Sequence, residues 1–353
     1  MHFNLAFIGF GTVGQGLTEI LVEKKNLLAE KYDFHYTVVA ISDVLKGSVY
    51  DETGLDLVKI LALVKNGEKL NAYPTGTKGM DSVTTIKDTN ADTIIEVTYT
   101  DIKTGEPALT HIKTALSLGK NVVSTNKGPV IKQARALIDL AQSHNAHYDF
   151  EGVVLAGTPA LNLAHYTLAG SKITGFRGIL NGTTNYILTR MEEGMSYDDS
   201  LKKAQSLGYA EADPTGDVEA WDAMGKVVIL TNVILGKHLT WKDVKRKGIT
   251  KLTKEDIKKA KAEGKRWKLI GRAEIQPNGS VQAQVQPEKL SLSDPLAGVS
   301  DAINALTYYT DELGAVTVIG PGAGRRETGF ALLIDLLNIN RKLIEKSTKR
   351  VTP

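Results

Sequence analysis

"NLAFIGFGTVGQGLTEIL", residues 4–21, decides the fold. Leu5 to Ile8 is a short apolar run, Gly9, Gly11 and Gly14 follow, and apolar residues resume at helical spacing with Leu17, Ile20 and Leu21. The pattern is strand, tight turn, helix. Glycines here permit the sharp turn, a close backbone approach to a pyrophosphate and tight helix–strand packing. The first helical residues, Thr12 and Val13, present unbonded N–H groups to the anion. A glycine turn alone proves little. At the head of a strand–turn–helix it predicts a dinucleotide site formed by Gly9, Gly11, Thr12, Val13 and Gly14.

A second strand, "YTVVAISD", ends at Asp43. A carboxylate at that end accepts hydrogen bonds from the adenosine ribose and favours NAD over NADP. Ser42 and Lys46 beside it would suit a 2′-phosphate instead, and Asp43 could equally just open a turn. Two further β-like runs, "DTIIEVTYT" at 92–100 and "KNVVSTNKG" at 120–128, flank the helical "EPALTHIKTALSLG". Strands alternating with helices predict an α/β, doubly wound parallel sheet of Rossmann type, with its ligand crevice at the carboxyl ends of the strands. Thr98, Thr125, Asn126 and Lys127 fall at such ends. Taken alone, Lys127 reads as an ordinary loop lysine.

The chain has 353 residues, 24% charged and 42% hydrophobic, a composition that suits two globular domains. Lys and Arg number 43 against 40 Asp and Glu, a net charge of +3, and the basic residues gather at 242–268 and 341–350 as solvated helix faces. No nucleic-acid partner is expected. There is no cysteine, hence no disulfide, thiolate metal site or cysteine nucleophile. The start "MHFNLAFIGF" lacks a signal peptide's basic region and apolar length, and no stretch approaches a membrane span. A cytoplasmic protein with no membrane partner and a small-molecule substrate is expected.

In the second half, "GFRGILNGTTNYILTRMEEG" at 175–194 reads as a strand, an Asn181-Gly182 turn and a helix capped by Thr183 or Thr184. Such corners often line polar pockets. The runs "WKLIGRAEI", "VQAQVQP", "INALTYYTD" and "AVTVIGPG" predict an α+β domain whose largely antiparallel sheet carries helices on one face. Helices on one face leave another to bury, so a homodimer is expected. The loop "FEGVVLAGTPALN" at 150–162 exposes carbonyls that can hold a hard cation, although most such loops hold none. A final "GPGAG" turn leads into a long helix that returns to the first domain. The expected division is 1–135 for the nucleotide, 136–319 for substrate and dimerisation, and 320–353 for the returning segment. "GYAEADPTGDVEAWDAMGK" at 208–226 places five acids ahead of Lys226, at the threshold of an apolar run. As a surface i,i+4 pair, Asp222 and Lys226 would contribute only ~0.3–0.5 kcal/mol.

"GFGTVG" at 9–14, "STNKGP" at 124–129, "NGTTNYIL" at 181–188, the 208–226 stretch and "GPGAG" at 320–324 together resemble the homoserine dehydrogenases. Five ordered motifs span nearly the whole chain. The resemblance implies reversible NAD(P)-dependent conversion of L-aspartate 4-semialdehyde to L-homoserine, in the aspartate pathway to threonine, methionine and isoleucine. By that resemblance Lys226 is the acid/base lysine and Lys127 the second active-site lysine. Glu211, Asp222, Asp217, Thr183 and Tyr209 become substrate residues, and Gly322 joins the cofactor site. The main-chain carbonyls of Glu151, Val154, Ala156 and Thr158 become a site for Na+ or K+. Ala220 and Met224 stand where the family more often has glycine and alanine. The chain ends soon after its last helix, leaving no room for an ACT-type or kinase domain, so threonine feedback through such a domain is not expected.

Overall fold

The computed structural model describes the backbone of residues 1–351 and the side chains of 1–346. Side chains 347–350 of the carboxyl-terminal basic cluster thus lie outside the described residues. Two compact units are present: 1–157 with 324–353, and 158–323.

The first unit runs β1 (His2–Ile8), α1 (Thr12–Tyr32), β2 (His35–Asp43), β3 (Gly47–Tyr50), α2 (Leu57–Lys65), β4 (Thr77–Lys78) and α3 (Ser82–Asp88). It continues through β5 (Thr93–Glu96), α4 (Ala108–Ser117), β6 (Asn121–Ser124), α5 (Lys127–Ser143) and β7 (Tyr148–Asp149). The seven strands lie in the order β4-β3-β2-β1-β5-β6-β7. From β2 to β7 every pairing is parallel, as expected of a doubly wound sheet. The short strands β3 and β4 add an antiparallel edge that apolar patterning did not mark. β1 is central and apolar through both faces, so Leu5, Phe7 and Ile8 are fully buried.

The first unit extends to Gly157, beyond the expected boundary at 135. The reason is physical: β7 pairs with β6, and the Glu151 N–H donates to Asp335 at 2.9 Å. Asp335 belongs to α11 (Arg325–Val351), which rejoins this unit. α11 lies against α1 at two glycines. A Cβ on Gly16 would sit 2.1 Å from the Arg325 carbonyl, and one on Gly329 would sit 2.5 Å from the Leu17 nitrogen. Arg325–Glu19 and Arg326–Glu23 pairs, each 2.6 Å, flank that crossing.

The second unit holds β8 (Ile173–Ile179), α6 (Gly182–Glu192), α7 (Tyr197–Ser206), α8 (Thr215–Val218), α9 (Trp221–Val233), β9 (Lys245–Arg246) and α10 (Lys254–Ala262). Four long strands complete its sheet with β8 and β9: β10 (Lys265–Ile275), β11 (Val281–Ser291), β12 (Ile303–Thr310) and β13 (Gly314–Pro321). Their order is β13-β12-β8-β10-β11-β9, antiparallel except for β9 beside β11. α9 packs so closely on the sheet that a Cβ on Gly271 would meet Val227 and Leu180 side chains at 2.8 Å. That contact explains why the "VVIL" of α9 is wholly buried. The opposite face is covered at one end by Leu296, Ala297 and Val299. Along β13 no residue is buried, and Ile319 is exposed.

Candidate active site

In the first unit, the chain turns out of β1 at Gly9, whose φ of +89° and approach to Val97 leave no room for a side chain; a Cβ would lie 2.6 Å from the Val97 carbonyl oxygen. Gly11 caps α1 without any side-chain bond, and a Cβ there would meet only open space. The leading N–H groups of α1, from Thr12 and Val13, therefore point into an uncrowded region with no acidic residue in the first turn. A helix start of that kind favours an anion.

Asp43 ends β2 as expected, and its carboxylate is bonded to the main chain on both sides. Its Oδ2 accepts the Phe10 N–H at 2.7 Å and its Oδ1 accepts those of Leu45 and Lys46 at 2.9 Å each. Burial raises its proton affinity. The three backbone bonds outweigh burial and hold the carboxyl below the usual Asp range. Asp43 is thus an ionised clasp between the glycine loop and the turn after β2.

The sequence reading missed Glu96, wholly buried at the end of β5. Its Oε1 accepts the Thr98 N–H at 3.2 Å and the Thr98 hydroxyl, while its Oε2 accepts the Ser124 hydroxyl at 3.2 Å. Ser124 Oγ accepts the Asn126 N–H at 3.0 Å, and Asn126 Nδ2 donates to Thr98 O at 3.3 Å and Tyr99 O at 2.9 Å. The ring closes on itself, tying the carboxyl ends of β5 and β6 together. Asn126 also caps α5 through Gly128 N–H, which makes the half-buried Lys127 the first residue of a helix rather than a loop residue. A cation there opposes the helix dipole by ~0.3–1 kcal/mol. Thr125 sits half-buried between the two.

In the second unit the cap of α6 is Asn181, not Thr183 or Thr184. The reason is its Oδ1, which accepts the Thr184 N–H and hydroxyl at 2.9 Å each and so does the capping itself. Its Nδ2 donates to Asp217 at 2.6 Å and Asp222 at 3.0 Å. Asp222 Oδ2 also accepts from Lys226 Nζ at 2.8 Å, and Lys226 donates to Leu180 O at 2.6 Å. Thr183 Oγ donates to the Tyr209 carbonyl at 2.6 Å. Lys226 is only 5% exposed, so the pair is not a solvated helix-face contact. Burial and the nearby Asp222 charge push Asp217 above the usual Asp range, against the Asn181 bond and Lys226. Asn181, Thr183, Asp217, Asp222 and Lys226 thus form one bonded cluster, with Asn181 at its centre. An Asn-Gly corner followed by a helix was the signal for that hub. The Glu211 side chain stands exposed outside the cluster, and Gln205 binds its carbonyl at 3.0 Å.

Ala220 precedes α9 at φ +63°, a left-handed conformation that favours glycine. Gly322 lies on Asn304: a Cβ would meet that side chain at 2.2 Å, and both Asn304 amide atoms are buried without partners. In the 151–157 loop Glu151 is buried, and Leu155 and Ala156 are successive non-glycine residues at φ +58° and +49°. Thr158, the first residue of the second unit, bonds Pro321 O at 2.9 Å. Among the described residues no group of three or more His, Asp or Glu side chains could hold a metal ion.

A parallel sheet with an open, uncapped helix terminus after β1, and a buried lysine held between a carboxylate and a carbonyl, define an oxidoreductase that uses a nicotinamide dinucleotide. Residues 159–337 match the family model described as homoserine dehydrogenase. The NAD(+)-dependent homoserine dehydrogenase of Pseudomonas canavaninivorans is 44% identical over 98% of both chains. The homoserine dehydrogenase of Methanocaldococcus jannaschii is 41% identical over 95% of this chain and 98% of its own. A solved hyperthermophilic archaeal homoserine dehydrogenase mutant in complex with NADPH superposes with a TM-score of 0.82 at 30% identity, covering 97% of this chain and 98% of its own. The chain belongs to the homoserine dehydrogenase family.

Proposed function

We infer that this chain interconverts L-aspartate 4-semialdehyde and L-homoserine with NAD(P), the step of the aspartate pathway that leads toward threonine, methionine and isoleucine. The observation that carries this reading is the Lys226–Asp222–Asn181–Asp217 cluster, buried far beyond what a surface pair requires.

The open space over Gly11 and the uncapped head of α1 fit a dinucleotide pyrophosphate, held by the main chain of Gly9, Gly11, Thr12, Val13 and Gly14. Asp43 suits ribose hydroxyls, and its ionised carboxylate disfavours a 2′-phosphate, so NAD is the preferred form. Thr98, Thr125 and Asn126, held in place around Glu96, serve the same cofactor, and by the family resemblance Gly322 is a further cofactor residue. Bound cofactor supplies or accepts the hydride.

Lys226 Nζ stabilises the negative charge that develops on the aldehyde oxygen and gives it a proton; in the reverse direction it takes the alcohol proton. Asp222 and Leu180 O fix the position of Nζ. By the family resemblance Lys127 is the second active-site lysine. Asp217, Asp222 and Glu211 supply negative charge for the substrate ammonium, with Thr183 and Tyr209 completing the pocket. Na+ or K+ on the carbonyls of Glu151, Val154, Ala156 and Thr158 is supported by the two strained residues Leu155 and Ala156, each costing ~1–3 kcal/mol that a bound ion would offset. The chain acts as a cytoplasmic homodimer formed through the uncovered face of the β8–β13 sheet; among the described residues no helix is long and apolar enough to cross a membrane. The test is NAD(P)H oxidation on addition of aspartate 4-semialdehyde. No turnover with either cofactor in folded protein would overturn the reading.

A further inference from the structure

The two acids bonded to Asn181 are joined by a connector of four residues, Val218 to Trp221, that no cap of its own holds. Neither α8 nor α9 begins with a capping side chain, and Ala220 between them stands in the left-handed region at φ +63°. A non-glycine residue keeps that conformation only where its surroundings fix it. Asp217 precedes the connector and Asp222 follows it. Its conformation therefore sets how the two carboxylates stand around the Asn181 amide.

The fixing comes from residues 244–250. β9 joins the sheet edge by pairing with Gln284 and Val285 of β11, and the Lys247 N–H donates to Val285 O at 2.8 Å. From this anchored segment the Ile249 N–H donates to Val218 O at 2.9 Å, and the Thr250 hydroxyl donates to Glu219 Oε1 at 2.7 Å. Arg246 reaches furthest along the connector. Its Nη1 donates to the Glu219 carbonyl and stands 3.6 Å from Glu219 Oε2. Its guanidinium carbon lies 3.8 Å from the centre of the Trp221 ring, well inside the roughly 6 Å reach of a cation–π contact. Trp221 is the first residue of α9, one position before Asp222. The Arg246 side chain is only 23% exposed, whereas Lys245 and Lys247 on either side of it are exposed.

We propose that Arg246 is a positioning residue for the reaction: by clasping Glu219 and Trp221 it sets the spacing of Asp217 and Asp222, and through Asp222 the place of the Lys226 ammonium. The proposal rests on the reading of Lys226 as the acid/base group. Arg246 transfers no proton and acts only through the connector. Without the guanidinium, Ala220 relaxes out of its left-handed conformation and the start of α9 moves with it. A misplacement on the order of 1 Å at a reacting group can cost a hundredfold in rate.

Steady-state kinetics, a thermal melt and a carboxyl NMR titration of Asp217 on the full-length protein test this. Arg246→Met keeps an apolar stem but loses the donors and the cation. Its kcat for semialdehyde reduction should fall about ten- to hundredfold at saturating substrate, with NAD(P)H affinity within about twofold of wild type. Arg246→Lys retains a donor and a cation and should recover most of that loss, while Lys245→Met, on the same strand, should keep wild-type kcat. Trp221→Leu, which removes the ring that receives the cation, should show the same loss and serves if Arg246→Met does not fold. Burial and the Asp222 charge hold Asp217 above the usual Asp range. In Arg246→Met it should titrate closer to that range, because the two carboxylates move apart. A merely structural arginine would lower Tm and leave both kcat and the Asp217 titration where they are. Wild-type kcat in folded Arg246→Met, an equal loss in Lys245→Met, no recovery in Arg246→Lys, or an unchanged Asp217 titration would each overturn the proposal. A wild type without turnover would instead overturn the reading of Lys226, and the Asp217 titration would still decide whether Arg246 sets the spacing of the acids.

Discussion

Replacing Lys226 with alanine separates a reacting lysine from a merely structural one. The substitution removes an ammonium that donates to Asp222 at 2.8 Å and to Leu180 O at 2.6 Å. Deleting one partner of a fully buried ion pair costs ~3–5 kcal/mol. Asp222, however, keeps 21% exposure and the Asn181 amide at 3.0 Å, so solvent and that amide take up part of the stranded charge. The expected loss is therefore roughly 1–3 kcal/mol, a fall in Tm of roughly 2–12 °C for a unit of this size. Activity should fall far more. A positioned acid/base group contributes ~10²–10⁴-fold, so kcat for semialdehyde reduction should drop by that factor at saturating substrate. Dinucleotide affinity should hold within about twofold, because Gly9, Gly11 and the head of α1 belong to the first unit. Steady-state kinetics, cofactor fluorescence titration and a thermal melt on one preparation read all three. If kcat stays within threefold of wild type while Tm falls as calculated, Lys226 is structural and the acid/base assignment is wrong.

Asp43→Ser should relax the preference for NAD(H) and lower Tm, since three backbone N–H groups lose their acceptor; a wild type that favours NADP(H), with a variant that binds it less well, would refute the placement. Asp335 is held well above the ordinary Asp range by burial first and then by Asp149 and Glu151, against the Glu151 N–H bond and Lys342. The folded chain therefore binds the extra proton, and stability should fall as pH rises from about 3.8 through the raised value; Asp335→Asn should flatten Tm against pH over that span. Light scattering at micromolar concentration should give twice the chain mass, and a monomer would count against the sheet-face dimer.

Much of the fold was legible because period and punctuation agreed. Leu5 to Ile8, three glycines and a helical stripe could hardly be anything other than strand, turn and helix, and the long strands of the second unit alternate plainly. β3, β4, β7 and β9 were not legible. They are two to four residues long and exist because a neighbouring edge offers hydrogen bonds, which is tertiary information. The boundary at Gly157 was hidden for a related reason, since it rests on Asp335 bonding a residue 184 positions away. At the site, residue types announced themselves but their wiring did not. Asn181 looked like a turn former, and only the fold shows its one amide joining Asp217 to Asp222 while its oxygen caps α6. Glu96 sat inside an apolar run and gave no sign of being the anchor of two crevice loops.

The placement of Glu96 bears on how the first unit works. A carboxylate taken fully out of water costs several kcal/mol unless its oxygens are met, and an apolar residue would serve the core of a parallel sheet better. Here the hydrogen bonds it accepts come from Thr98 and Ser124, at the carboxyl ends of two adjacent strands, and the buried His111 ring of α4 lies 3.5 Å from its Oε1. The same two ends carry Asn126 and Lys127. A buried charge that holds loops in register contributes geometry rather than net stability, and geometry at those ends is what a bound nicotinamide requires. Asp222 does the equivalent in the second unit by accepting from both Asn181 and Lys226. In each unit a buried or half-buried carboxylate organises its neighbours: Glu96 holds Ser124, which in turn holds the Asn126 cap ahead of Lys127, and Asp222 holds Lys226 directly.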